Sequence, residues 1–111
     1  MNVLIIGGNA KNLDALDAYL MELTDRTGVL AFNVIGGYIG YYDGNPPLSA
    51  IWAKHRGYPY YFYEYKDVAS LMHGLIEKAD YAFFVNDGNQ MTKRFMMAYK
   101  DAGKHGEVIN V

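Results

Sequence analysis

Three short stretches of this chain place glycines or side-chain amides directly behind an apolar run. The first reads Val3-Leu4-Ile5-Ile6-Gly7-Gly8-Asn9, and the second Phe32-Asn33-Val34-Ile35-Gly36-Gly37-Tyr38-Ile39-Gly40. The third reads Phe83-Phe84-Val85-Asn86-Asp87-Gly88-Asn89-Gln90-Met91-Thr92. Each has the pattern of a strand that enters a loop and then a helix. Glycine lets backbone N–H groups approach an anion with no Cβ in the way, and a helix start attracts negative charge. Backbone amides from Gly36 to Gly40, with the hydroxyl of Thr92 at a helix start, therefore suit a phosphate. Gly7 and Gly8 either join them or only tighten a strand-to-helix turn. Asn9, Asn86, Asn89 and Gln90 carry neutral amides able to hydrogen-bond a base or a ribose. Tyr38, Tyr41 and Tyr42 have the rings to stack on a base. Asp87 either accepts ribose hydroxyls or shapes a turn with Gly88. Lys93 is either a charge beside the anion or a solvated side chain.

These loops need a scaffold that gathers them. Strands are expected near residues 2–6, 30–35, 59–65, 81–85 and 107–111, and helices near 12–26, 47–56, 67–78 and 92–102. The first helix sets Leu13, Leu16, Leu20 and Leu23 on one face, with Asn12 or Asn9 as its cap and Gly28 beyond its end. The second begins at Pro46-Pro47 and buries Leu48, Ile51 and Trp52. The third is capped by Asp67 and carries Val68, Leu71, Met72, Leu75 and Ile76. The fourth starts around Thr92 and carries Phe95, Met96 and Tyr99, and the Met96-Met97 pair belongs to the core. Alternating strands and helices imply crossovers and a mostly parallel five-stranded sheet, a three-layer Rossmann-like α/β domain. Val3–Ile6 and Ala82–Val85 are continuously apolar, as central strands should be. The stretch from Pro59 to Tyr65, aromatic and carrying Glu64, suits an edge. Ligands bind such sheets at the carboxyl ends of the strands.

With 111 residues, half of them hydrophobic, the chain fits one domain with a real core. A net charge of −2 gives no footprint for nucleic acid, so a bound phosphate must be held locally. There is no cysteine, which excludes thiolate chemistry and disulfides. His55, His73 and His105 share no ligand spacing, so no metal site is expected. Asp14 and Asp17 read as a solvated helix face. No stretch approaches a membrane span and no secretory leader pattern opens the sequence, so a cytoplasmic protein is the expectation. Tyrosine is the unusual residue: 11 in all, eight of them between Tyr38 and Tyr65. Such a cluster suits a stacking surface, a subunit interface or a half-buried edge strand.

Gly36-Gly37-Tyr38-Ile39-Gly40, followed by Trp52-Ala53 and by Gly57-Tyr58-Pro59, resembles the SLOG superfamily. That superfamily groups the DNA-processing-A proteins with the LOG nucleotide phosphoribohydrolases, and the small bacterial and phage members are the most similar branch. Ala79–Phe84 is similar to the family's fourth strand. Asp87-Gly88 and Thr92-Lys93 match its loop and helix start, and Ala98, Lys100, Gly103 and 108–111 its last helix and strand. The resemblance implies a nucleotide or nucleotide derivative lying across the three loops. There are departures. Met91 stands where the family has glycine before the threonine, and Phe95 where the LOG enzymes carry a glutamate. Tyr41-Tyr42-Asp43-Gly44-Asn45 precedes the second helix, and the catalytic arginine has no match. Where small members have an Arg-Asn pair, this chain has Asp67-Val68-Ala69.

Three functions follow as expectations. The first is a module, without cofactor, that senses or sequesters a nucleotide-derived small molecule. The second is a LOG-like hydrolase of an N-glycosidic bond, which needs a carboxylate from Asp43, Glu64 or Asp87. The third is an interaction protein built on 58–65. The amide-rich loop, the tyrosines and Phe95 favour the binding module. An aromatic edge on so small a domain also predicts a homodimer or higher homo-oligomer.

Overall fold

A computed structural model describes residues 1–8, 10–29, 31–39, 48–86, 88–104 and 106–110, with the side chains of Ala10, Tyr38 and Ile39 outside that description. The elements alternate: β1 (Asn2–Ile6), α1 (Leu13–Thr27), β2 (Asn33–Ile39), α2 (Leu48–Arg56), β3 (Tyr60–Tyr65), α3 (Val68–Lys78), β4 (Tyr81–Asn86), α4 (Gln90–Asp101) and β5 (Glu107–Asn110). A 3-10 turn at Ala10–Asn12 leads into α1. The five strands form one parallel sheet in the order β3-β2-β1-β4-β5. The domain is thus the expected α/β domain of the Rossmann-like class.

The alternation of side chains along each strand divides the core in two. Val3, Ile5, Val34, Phe83 and Val85 pack with Leu16, Leu20 and Leu23 of α1 and with Leu48, Trp52 and Ala53 of α2. Leu4, Ile35, Ala82 and Phe84 pack with Leu71, Leu75 and Ile76 of α3 and with Phe95 and Tyr99 of α4. The winding runs outward through β2 and β3, returns to β4, and so puts the later helices on the opposite face.

The helix ends follow their sequence signals. Asp67 caps α3 by accepting a 2.7 Å bond from the Ser70 N–H. Gly28 closes α1 in the left-handed conformation and returns its N–H to the Thr24 carbonyl. Asn12 stands before α1 but makes no side-chain capping bond. α4 starts at Gln90, two residues before the expected start, and its cap is Asn89, whose Oδ1 accepts from the Met91 N–H at 2.8 Å.

Four expectations need correction. β2 does not end at 35 but runs through Gly36 and Gly37 to Ile39, held along β3 from Val34–Tyr60 to Ile39–Tyr65. On α2 the buried face is Leu48, Ser49, Trp52 and Ala53, while Ile51 is only half-buried. Met97 is 67% exposed rather than core. Asp17 is no solvated residue. It accepts bonds from the Trp52 indole N–H at 2.5 Å and the Arg56 Nε at 2.9 Å, and ties α1 to α2.

Candidate functional site

In an open parallel sheet the ligand crevice lies beyond the carboxyl ends of the strands where the strand order reverses. That point falls here between β1 and β4. The turn after β1 and the start of α4 meet across it. Gly7 and Gly8 both adopt positive φ, +83° and +78°. A Cβ on Gly7 would sit 2.7 Å from the Val85 carbonyl oxygen and 2.8 Å from Thr92 Oγ1. A Cβ on Gly8 would meet Leu48 and Asn12. Only glycine permits both the left-handed turn and this approach. Thr92 is itself buried, in the first turn of α4.

The second glycine pair does something different. Gly36 and Gly37 lie inside β2, opposite Phe62 and Tyr63 of β3. A Cβ on Gly36 would come 2.5 Å from the Tyr60 hydroxyl and 3.2 Å from Ser49 Oγ. These two hydroxyls are 2.9 Å apart. Gly36 therefore makes room for a hydroxyl pair rather than for a turn, and the phosphate-binding turn expected from Gly36 to Gly40 is a strand as far as Ile39.

Between these features opens a cavity of about 190 Å³. Its described walls are Ile5 and Ile6 of β1 and Gly7 after it, Gly37 on β2, Ser49 on α2, Tyr60 and Phe62 on β3, Leu71 and Leu75 on α3, and Met91 and Phe95 on α4. The described lining is apolar and aromatic apart from the two hydroxyls and the glycine backbones. Sequence reasoning missed Ser49 and Tyr60 as site residues. Their only signal was a serine on an apolar helix face and a tyrosine at the start of an aromatic strand.

The predicted site residues fall into three groups. Gly7, Gly37 and Thr92 converge on the crevice. Gly88, Asn89 and Gln90 are exposed at the approach to α4, where the Asn89 side chain caps the helix. Asn86 is exposed at the end of β4, its amide donating to Asn110 Oδ1 at 3.2 Å on β5. Asn9, Gly40, Tyr41 and Asp87, together with Tyr42, Asp43, Pro46, Pro47 and His105, lie outside the described residues, as does the side chain of Tyr38.

Larger space exists elsewhere without converging polar groups. A groove of about 570 Å³ runs along α4 and β5 beside Met97 and Val108. Its Lys104 ammonium is engaged by the carbonyls of Ile76 and Ala79 at the end of α3. The electrostatic perturbations also sit away from the crevice. Burial pushes the Tyr99 phenol up, helped by Asp80, and burial likewise raises Tyr81 beside Glu107. Arg26 is raised chiefly by its 2.9 Å bond to Tyr81. Among the described residues no three histidine or acidic side chains gather to hold a metal, and no helix is long and apolar enough to cross a membrane.

No family model matches the chain, and no curated protein matches it in sequence.

Proposed function

We propose that this domain binds a nucleotide or nucleotide-derived small molecule at the carboxyl ends of its strands, to sense or sequester it. The observation that carries this reading is the meeting of the Gly7-Gly8 turn with the start of α4 at the switch point of the sheet. A strand-to-helix turn of positive-φ glycines facing a helix N-terminus favours an anion, and the cavity beside it favours a ring. The resemblance to the SLOG superfamily supports the same ligand class. Phe95, only 2% exposed, lines the cavity where the LOG enzymes carry their glutamate, so retention is favoured over hydrolysis.

The test is incubation with nucleotides, cyclic nucleotides, NAD and ADP-ribose, separation of bound from free, and mass spectrometry of both fractions. An intact ligand released on denaturation supports the reading. A free base with ribose phosphate, formed only with protein, replaces it with the hydrolase. Neither retention nor cleavage of any compound refutes both.

A homodimer is the second part of the proposal. β3 is the edge of the sheet, and Tyr61 and Phe62 stand 49% and 40% exposed on it. An edge strand with exposed rings and open backbone groups favours pairing with a second copy.

A further inference from the structure

We infer that the Ser49–Tyr60 hydroxyl pair is the element that selects the ligand's ring, reading the polar edge of an uncharged heterocycle seated in the cavity at the strand ends. The inference rests on the binding function proposed above and assigns the ring to a subsite. Three elements cooperate to build this spot. Gly36 on β2 withholds a Cβ that would meet the Tyr60 hydroxyl at 2.5 Å. α2 turns Ser49 inward although it is polar, leaving it 2% exposed. β3 brings the Tyr60 hydroxyl to 2.9 Å from Ser49 Oγ.

Burying hydroxyls in an apolar wall is costly unless they are hydrogen-bonded, and Ser49 and Tyr60 meet that cost by bonding each other. Kept as a pair, the hydroxyls have both donor and acceptor character in a cavity otherwise walled by Ile6, Phe62, Met91 and Phe95. No described lining residue carries a charge. The described walls therefore favour a neutral, flat group polar at one edge, as a nucleobase is, over a phosphate. Size agrees. At about 190 Å³ the cavity is smaller than sites that engulf a whole drug-sized ligand, so one ring system enters and its sugar and phosphate remain in the open crevice near Gly7. A hydroxyl pair also discriminates, because a ring lacking the matching group would leave buried polar atoms unpaired.

The experiment measures binding of AMP, GMP, CMP, UMP, ribose 5-phosphate and inorganic phosphate by calorimetry to the wild-type chain and to S49A and Y60F, with thermal melts confirming that each variant folds. At least one mononucleotide should bind the wild type more tightly than ribose 5-phosphate. S49A and Y60F should each weaken that nucleotide about tenfold, the loss of one hydrogen bond, and leave ribose 5-phosphate unchanged. Y60F, which keeps the ring and the fold, serves if S49A melts early. Wild-type affinity of both variants for the nucleotide overturns the inference and leaves the binding function standing. Equal loss for ribose 5-phosphate also overturns it, since the pair would then serve the sugar or the phosphate. If no probe binds the wild type, the inference falls together with the proposed function.

Discussion

Replacing Gly7 by alanine tests the approach of the β1 turn to α4, because other glycines separate the two costs it combines. A φ of +83° is unfavourable for any residue with a Cβ, by about 1–2 kcal/mol. The added methyl must also displace the Val85 carbonyl and Thr92, at 2.7 and 2.8 Å, and overpacking of this kind costs about 1–3 kcal/mol. Together they predict a loss of about 2–5 kcal/mol, a large share of the roughly 5–15 kcal/mol that holds a domain folded. Gly28 has a similar φ of +73° with nothing within 4 Å of its Cβ position, so G28A isolates the backbone cost of about 1–2 kcal/mol. Gly36 lacks positive φ, so G36A isolates the steric cost, which falls near the lower end, about 1 kcal/mol, because the Tyr60 hydroxyl is the far end of a side chain. Urea unfolding followed by the fluorescence of Trp52 reads all three, with equal m-values as the check that only stability has changed. The order expected is G7A well below G28A and G36A. If G7A and G28A lose the same stability, the turn is not pressed against Val85 and Thr92, and the crevice described above has the wrong floor.

D17A should destabilise the protein by about 1–3 kcal/mol in the same unfolding assay, since it leaves the buried indole N–H of Trp52 without its acceptor. A loss no larger than that of an exposed helix residue would refute the tie between α1 and α2. The Asp67 carboxyl is held below its usual range, chiefly by the Ser70 N–H. A carboxyl lowered on folding contributes stability above its unfolded pKa and loses it as pH falls through the folded value. D67A should therefore fall short of the wild type at neutral pH, with the gap closing below about pH 4, whereas D67N keeps the cap and loses the pH dependence. A gap independent of pH would show that the charge plays no part. In sedimentation across a concentration series the wild type should gain mass and the double variant Y61K/F62K should remain monomeric. A wild type that stays monomeric throughout removes the proposed dimer.

How far the sequence could be read is clearest in the two glycine pairs, which are nearly identical as text. Ile5-Ile6-Gly7-Gly8 and Val34-Ile35-Gly36-Gly37 both look like strands that break at glycine. The first does break, because β1 ends at Ile6 and the turn must swing under Thr92. The second continues, because the aromatic β3 runs beside it as far as Tyr65 and holds it extended. Positive φ and close approach demand the same residue, so glycine alone does not say which applies. Continuous apolar runs located β1 and β4, and leucine spacing located α1, because periodicity is local information. Edge placement of β3 was legible from Pro59, Glu64 and the rings. Tertiary partners were not. Asp17 looks like any exposed acid until Trp52 and Arg56 are brought to it, and Ser49 looks like a surface serine until α2 turns it toward Gly36.

The choice between holding a ligand and cleaving it turns on where carboxylates can stand. Hydrolysis of a glycosidic bond ordinarily takes two carboxyl groups flanking the bond, or one that activates water. The described lining of the cavity has none, and Phe95 fills the helical position from which a carboxylate would reach it. Glu64 is exposed on the edge strand, with Phe62 two residues before it on the same face and nearer the cavity. An acid placed at 95 would be desolvated among Ile6, Leu75 and Met91 and would sit protonated, able to give a proton but not to take one. Apolar walls with one hydroxyl pair have the opposite virtue: they suit the proposed neutral ring, and the described ones offer its glycosidic bond nothing to react with. Under the proposed binding function, an apolar side chain at 95 disfavours cleavage and favours retention of a ring, which ties Phe95 to the Ser49–Tyr60 pair.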